Sequence, residues 1–251
     1  MNETFQLFLR KTFDIRQGEF QRAFLMQVNI FLIISTLLIV KPTVNALFLS
    51  KFGVENLPYA FILVALIAAV VSSLYAKILT KINLTTIVLS TLYFSVFSLL
   101  FFGLFLRLNI FESAILYLFY IWVAIFALLT TSQFWVLANI VFNAREAKRL
   151  FSFIGAGAII GGIFGGYLTS VLAQIMSSEN LPFIGAGLLA CCIPVNQFIW
   201  TKFVLSNQTP FQHKKRIKGI GDHPAKLVWQ SRHLTFLACI VGVSVMVAKL
   251  V

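Results

Sequence analysis

Apolar residues run along this chain in blocks of about twenty or more, broken by short polar stretches. Seven blocks stand out, at about 23–49, 57–76, 85–106, 114–142, 150–175, 181–205 and 230–251. A bilayer core of ~30 Å is crossed by ~20 residues of helix, so each block predicts one membrane span. The ~10-residue alternation of a membrane barrel is absent. The first block is too long for a signal-peptide core and has no small-residue cleavage site after it, so it reads as a retained span.

The spacing of the blocks sets the organisation. Residues 1–205 read as a six-helix transmembrane bundle, 206–226 as a basic cytoplasmic loop, and 227–251 as the first helix of an incomplete second bundle. The loop, with "QHKKRIKGIGDHP" at its centre, is a solvated segment by composition, with weak attraction to anionic lipid headgroups as its functional alternative. Span 1 carries Arg22 and Lys41, and span 7 carries Arg232 and Lys249 at a similar spacing. Repeated halves are common among transporters. The expectation is a 6 + 6 transporter cut off early.

Composition agrees with the pattern. Hydrophobic residues make up 59% of the chain, charged residues 11%, and mean hydropathy is +0.92. The net charge of +12 points to orientation rather than to nucleic acid. With the N-terminus inside, sixteen of the 20 Lys and Arg fall on the inner side. Only Lys51 and Arg107 fall outside, while Lys41 and Lys249 lie within spans. The positive-inside rule therefore predicts a cytoplasmic N-terminus, as in a bacterial inner membrane. Cys191, Cys192 and Cys239 lie in apolar blocks and read as buried thiols. His213, His223 and His233 match no metal-ligand spacing, so neither metal nor cofactor is expected.

Within the spans, three features carry chemistry. "GAGAIIGGIFGG" (155–166) lacks the Lys-Ser/Thr pair and preceding strand of a phosphate loop. Its small-xxx-small pairs, Gly157–Gly161, Gly161–Gly165 and Gly162–Gly166, instead predict close helix packing. In span 4, Ser132, Trp135, Asn139 and Asn143 share one helical face. That stripe serves either interhelical hydrogen bonding or an aqueous substrate path in which Trp135 stacks on an aromatic ligand. In span 1, Lys41 precedes Pro42, and Asn45 lies one turn on. A helix starting at Ala23 would let Lys41 snorkel outward; one starting near Asn29 puts it just past mid-span. No Asp or Glu lies within a span to pair with it, so a transported anion would serve.

With these residues assembled, the chain resembles the ATP/ADP exchange carriers of plastids and obligate intracellular bacteria, a distant branch of the major facilitator superfamily. The resemblance rests on "FWVLANIVFNAREAKRLFSFIGAGAIIGGIFGG" (134–166), on the span 1 lysine, and on "KFG" before a proline-led second span. It implies twelve helices, a central cavity and nucleotide antiport. The family's acidic residue in span 4 has no counterpart in "YIWVAIF", and its span 7 acid is replaced by Lys249. The cavity is then more positive, and the anion is a nucleotide or another phosphorylated or carboxylated solute. The candidate substrate-binding residues are Lys41, Asn45, Ser132, Trp135, Asn139 and Lys249; the candidate helix-packing residues are Gly157, Gly161, Gly162, Gly165 and Gly166.

The functional expectation is a secondary transporter of organic anions, not an enzyme, with the lipid bilayer and a small anionic solute as partners. A non-transporting membrane subunit or receptor derived from a carrier is the alternative. A membrane-embedded enzyme would need acids, histidines or nucleophiles clustered at one depth, which the sequence does not offer.

Overall fold

A computed structural model describes residues 19–79, 83–108, 111–205 and the isolated positions 235, 236 and 240. The chain divides after Asn207 into two units. In the second, Thr235, Phe236 and Ile240 are helical. Span 7, the 206–226 loop and Lys249 otherwise lie outside the described residues.

The first unit is all-helical among the described residues. Its helices are α1 (Glu19–Phe52), α2 (Leu57–Leu79), α3 (Leu84–Arg107), α4 (Glu112–Val141), α5 (Ala144–Ile175) and α6 (Leu181–Ile199). A π-helical turn, Trp200–Leu205, continues α6. Six helical segments are long and apolar enough to cross a membrane, and each overlaps one of the first six expected spans. The protein is an integral, multi-pass membrane protein by this measure.

Helix ends lie where local chemistry puts them, not where the apolar runs stop. α5 begins at Ala144, six residues before the expected Leu150. Glu146 Oε2 accepts a hydrogen bond from the Asn143 backbone N–H at 3.0 Å, fixing the first turn outside the apolar stretch. α1 likewise starts at Glu19, ahead of the expected Ala23.

α1 is the hub of the bundle. It packs most extensively on α5, then on α6 and α4; α3 packs on α6, and α4 also meets α2 and α3. This set of principal pairings has an internal symmetry. Exchanging α1, α2, α3 for α4, α5, α6 turns α1–α5 into α4–α2 and α1–α6 into α4–α3. It returns α1–α4 and α3–α6 to themselves.

Ion pairs mark the two ends of the bundle. At one end Arg22 pairs with Glu146 at 3.2 Å and Arg149 with Glu19 at 3.0 Å, while Lys202 Nζ donates to Gln21 Oε1 at 3.0 Å. At the other, Lys51 pairs with Glu112 at 2.6 Å. Arg22 and Lys51 are separated by about 44 Å of helix, close to the full thickness of a bilayer with its headgroups.

The seam between α1 and α5 is the closest contact. Gly157, Gly161 and Gly165 are buried, and a Cβ there would lie 2.5 Å from Gln27 O, 2.6 Å from Phe31 O and 2.7 Å from Ser35 O, respectively. Each step on α5 is four residues and each step on α1 is four residues, so the helices run in parallel register. Removing the side chains lets the two backbones touch, the general basis of small-residue packing in membranes. Side-chain bonds then stitch the seam: Gln27 Nε2 donates to Phe153 O at 3.1 Å, and Ser35 Oγ to Gly161 O at 3.1 Å. Two of the five expected packing glycines differ. Gly162 would meet only Ile34 Cγ2, at 4.0 Å, and a Cβ on Gly166 meets nothing within 4 Å. They sit one position past the contact face, so the Gly162–Gly166 pair takes no part in it.

Candidate functional site

Pro42 sits inside α1. Lacking an N–H, it leaves the Leu38 carbonyl without its helical donor, a group that apolar surroundings leave unsatisfied at a cost. α5 supplies the replacement. Thr169 Oγ1 lies 3.0 Å from Leu38 O and 2.7 Å from Gly165 O, so one hydroxyl serves both carbonyls. The helix therefore continues through the proline to Phe52 instead of breaking.

Lys41 is exposed on the bundle surface and has no hydrogen bond or ion pair among the described residues. Ten residues of helix, about 15 Å, separate it from Lys51, and it lies roughly 7 Å beyond the midpoint between Arg22 and Lys51. Asn45, one turn on, is half-buried. The neighbouring positions of α1 explain which way this face points. Val40 and Thr36 turn to Gly185 of α6, Leu38 to Gly165 of α5, and Phe48 to Tyr120 of α4 at 4.7 Å. Lys41 lies between the α4 and α5 directions, on the side of α1 opposite α6.

On α4, Ser132, Trp135 and Asn139 are all exposed, while Thr130, Gln133, Phe134 and Leu137 are buried. The expected stripe is thus an exposed face of the helix, with Trp135 at its border with α5. Trp135 stands edge-on to Phe134 and to Phe151 of α5, each with centroids 5.4 Å away. Asn139 Nδ2 donates to the Trp135 carbonyl at 2.8 Å, so its side-chain hydrogen bond goes to its own helix backbone.

The two groups of candidate residues are at different depths. Lys51 pairs with Glu112, and the Arg22 guanidinium lies 5.9 Å from the Phe142 ring centroid, so α1 and α4 run antiparallel in a fixed register. Taken with the Phe48–Tyr120 and Phe52–Tyr117 contacts, this displaces Ser132 from Lys41 by about 7–14 Å along the axis and Asn139 by about 17–25 Å. They do not form one compact site; only an elongated ligand would reach both. Lys249, the expected contribution from span 7, lies outside the described residues. Among the described residues no group of three or more His, Cys, Asp and Glu could hold a metal ion.

The bundle also has a polar interior, which the apolar runs do not reveal. Asn29, Thr130, Gln133 and Asn196 are all buried, drawn from α1, α4 and α6. Gln133 Nε2 donates to Thr91 Oγ1 of α3 at 3.0 Å, and Asn196 Nδ2 to Cys192 O at 3.2 Å. The available signal was plain: an asparagine inside an apolar span is costly enough to imply a partner. Comparisons with protein-family models, curated proteins and solved structures give no match for this chain.

Proposed function

We propose that the six-helix unit is one half of a major-facilitator-like carrier that exchanges organic anions, nucleotides of the ATP:ADP type first among them, by alternating access. The observation that carries the reading is Lys41. It is a lysine within the apolar length of a spanning helix, exposed on the bundle and without a partner among the described residues. A lysine at a helix centre costs roughly 2.5–3.5 kcal/mol on insertion scales, Lys41 near it bears part of that cost, and no carboxylate within the spans offsets it. A bound anion would. The carrier then crosses its occluded state more readily when loaded, which favours exchange over net transport.

Two further features support this reading. The principal helix pairings are unchanged when α1–α3 are exchanged for α4–α6, as expected of two repeated three-helix units of opposite orientation. The basic end, with Arg22, Arg145, Lys148, Arg149 and Lys202, is the cytoplasmic one by the positive-inside rule. Lys41 and Asn45 hold the anion, and the Ser132–Trp135–Asn139 face lines the path towards the cytoplasm.

Counter-flow in proteoliposomes with labelled nucleotides, using the full-length protein, tests the reading. Lys41→Gln should reach the membrane at normal level and lose exchange by about tenfold or more, the worth of one charged hydrogen bond. Lys41→Arg should keep part of the activity, because the charge remains while its shape and hydration change. Wild-type exchange by Lys41→Gln, below and above saturation, would make Lys41 a snorkelling anchor and end the proposal.

A further inference from the structure

A cavity of about 10 Å³ lies at the junction of α1, α3, α4 and α6, and its wall includes Asn29, Thr130, Gln133 and Asn196 with Val88 and Leu92. That volume is about the least that admits one water molecule. Asn29 is 1% exposed, and its Nδ2 has no hydrogen-bond partner among the described residues. Its Oδ1 accepts only a weak bond from Cys192 Sγ at 3.6 Å. The facing groups are complementary to an amide donor. Thr130 Oγ1 gives its proton to Phe126 O at 2.7 Å, which leaves its lone pairs as acceptors. Asn196 Nδ2 is turned to Cys192, at 3.2 Å from its carbonyl and 3.5 Å from its sulfur, which leaves Oδ1 as the acceptor.

We propose that this cavity binds a single water molecule, which accepts a hydrogen bond from Asn29 Nδ2 and donates its two protons to Thr130 Oγ1 and Asn196 Oδ1. The Asn29 donor and the Thr130 and Asn196 acceptors match a lone pair and the two protons of water, and buried waters of this kind make about three hydrogen bonds. A monovalent cation fits less well. The wall presents an N–H to it, and no carboxylate is among the lining residues. The water joins α1 to α4 and α6, across the boundary between the two three-helix sets. It exchanges direct side-chain contact there for a bridge that tolerates small changes in separation, at little enthalpic cost.

A density map of the full chain at a resolution that shows ordered water is the direct test. A peak about 2.7–3.2 Å from Asn29 Nδ2 and from Thr130 Oγ1 or Asn196 Oδ1 is expected; an empty cavity overturns the proposal. Thermal melting supplies a second arm. Asn29→Leu should lower Tm by about 2–4 °C, because it strands the water and its acceptors. A Tm that is unchanged or raised would mean that the amide was merely unsatisfied, and that also overturns it. Melting of the wild-type protein should be equal in sodium, potassium and choline chloride; a rise specific to sodium would replace the water with a cation. The wild-type map and salt series decide the matter even if Asn29→Leu fails to fold.

Discussion

The Thr169 hydroxyl on α5 caps the carbonyl that Pro42 leaves open on α1. The two residues never need to touch; the Leu38 oxygen, 3.0 Å from Thr169 Oγ1, links them. Thr169→Val should therefore destabilise the protein by about 0.6–1.7 kcal/mol, the range of interhelical hydrogen bonds measured in membranes. In a Pro42→Ala background the new N–H takes over the Leu38 carbonyl, and the same change should cost almost nothing. Thermal unfolding of the four proteins in one detergent measures this coupling; equal losses in both backgrounds would sever the link.

The seam between α1 and α5 separates glycines that look alike in the sequence. Gly161→Ala places a methyl 2.6 Å from the Phe31 carbonyl and should cost about 1–3 kcal/mol, as overpacking does. Gly166→Ala, with nothing within 4 Å, should be neutral or stabilising by up to about 1 kcal/mol through helix propensity. Melting temperatures of the two variants should therefore move in opposite directions or differ by several degrees. A matched loss at both positions would contradict the register described for the seam.

The ion pairs at the two ends should be unequal. Lys51 and Glu112 are about 40% exposed and joined by one contact, so Glu112→Gln should cost no more than about 1 kcal/mol. Glu146 accepts from both Arg22 and the Asn143 backbone N–H and is half as exposed. Glu146→Gln should cost more, about 1.5–3 kcal/mol, and fray the start of α5. Denaturation curves at low and high salt give both values, and the smaller loss should be the one that salt abolishes.

Orientation can be read with single cysteines in a background lacking Cys191, Cys192 and Cys239. An impermeant thiol reagent added to intact cells should label Lys51→Cys and leave Arg145→Cys unlabelled until the membrane is opened. The reverse pattern would invert the topology expected from the basic residues.

Much of the scaffold was legible because span length and hydropathy are properties of single segments. All six described spans could be located from apolar runs alone. The starts of α1 and α5 could not, because charged first turns carry them: Glu19 pairs with Arg149, and Glu146 caps its own helix. Reading Asn143 with Glu146 three residues later as a helix start would have corrected α5. The four-residue glycine spacing showed that a close contact exists but not its partner, because choosing among Gly157, Gly161, Gly162, Gly165 and Gly166 depends on the rotation of α5 about its axis. The stripe Ser132, Trp135 and Asn139 was visible as a face, yet its distance from Lys41 along the bundle depends on the α1–α4 register. Asn29 and Asn196 were visible as polar residues in apolar runs; their meeting around one cavity is a property of four helices together.

The α1–α5 seam also bears on how the protein is made. α1 leaves the ribosome before α5, carrying Gln27, Ser35 and the opened Leu38 carbonyl, and their partners on α5 arrive about 126 residues later. At synthesis rates of 5–20 residues per second that is a wait of roughly 6–25 s. Throughout it, the Leu38 carbonyl of α1 lacks the helical donor that Pro42 removed. The hub of the finished bundle thus completes its polar contacts only when α5 arrives.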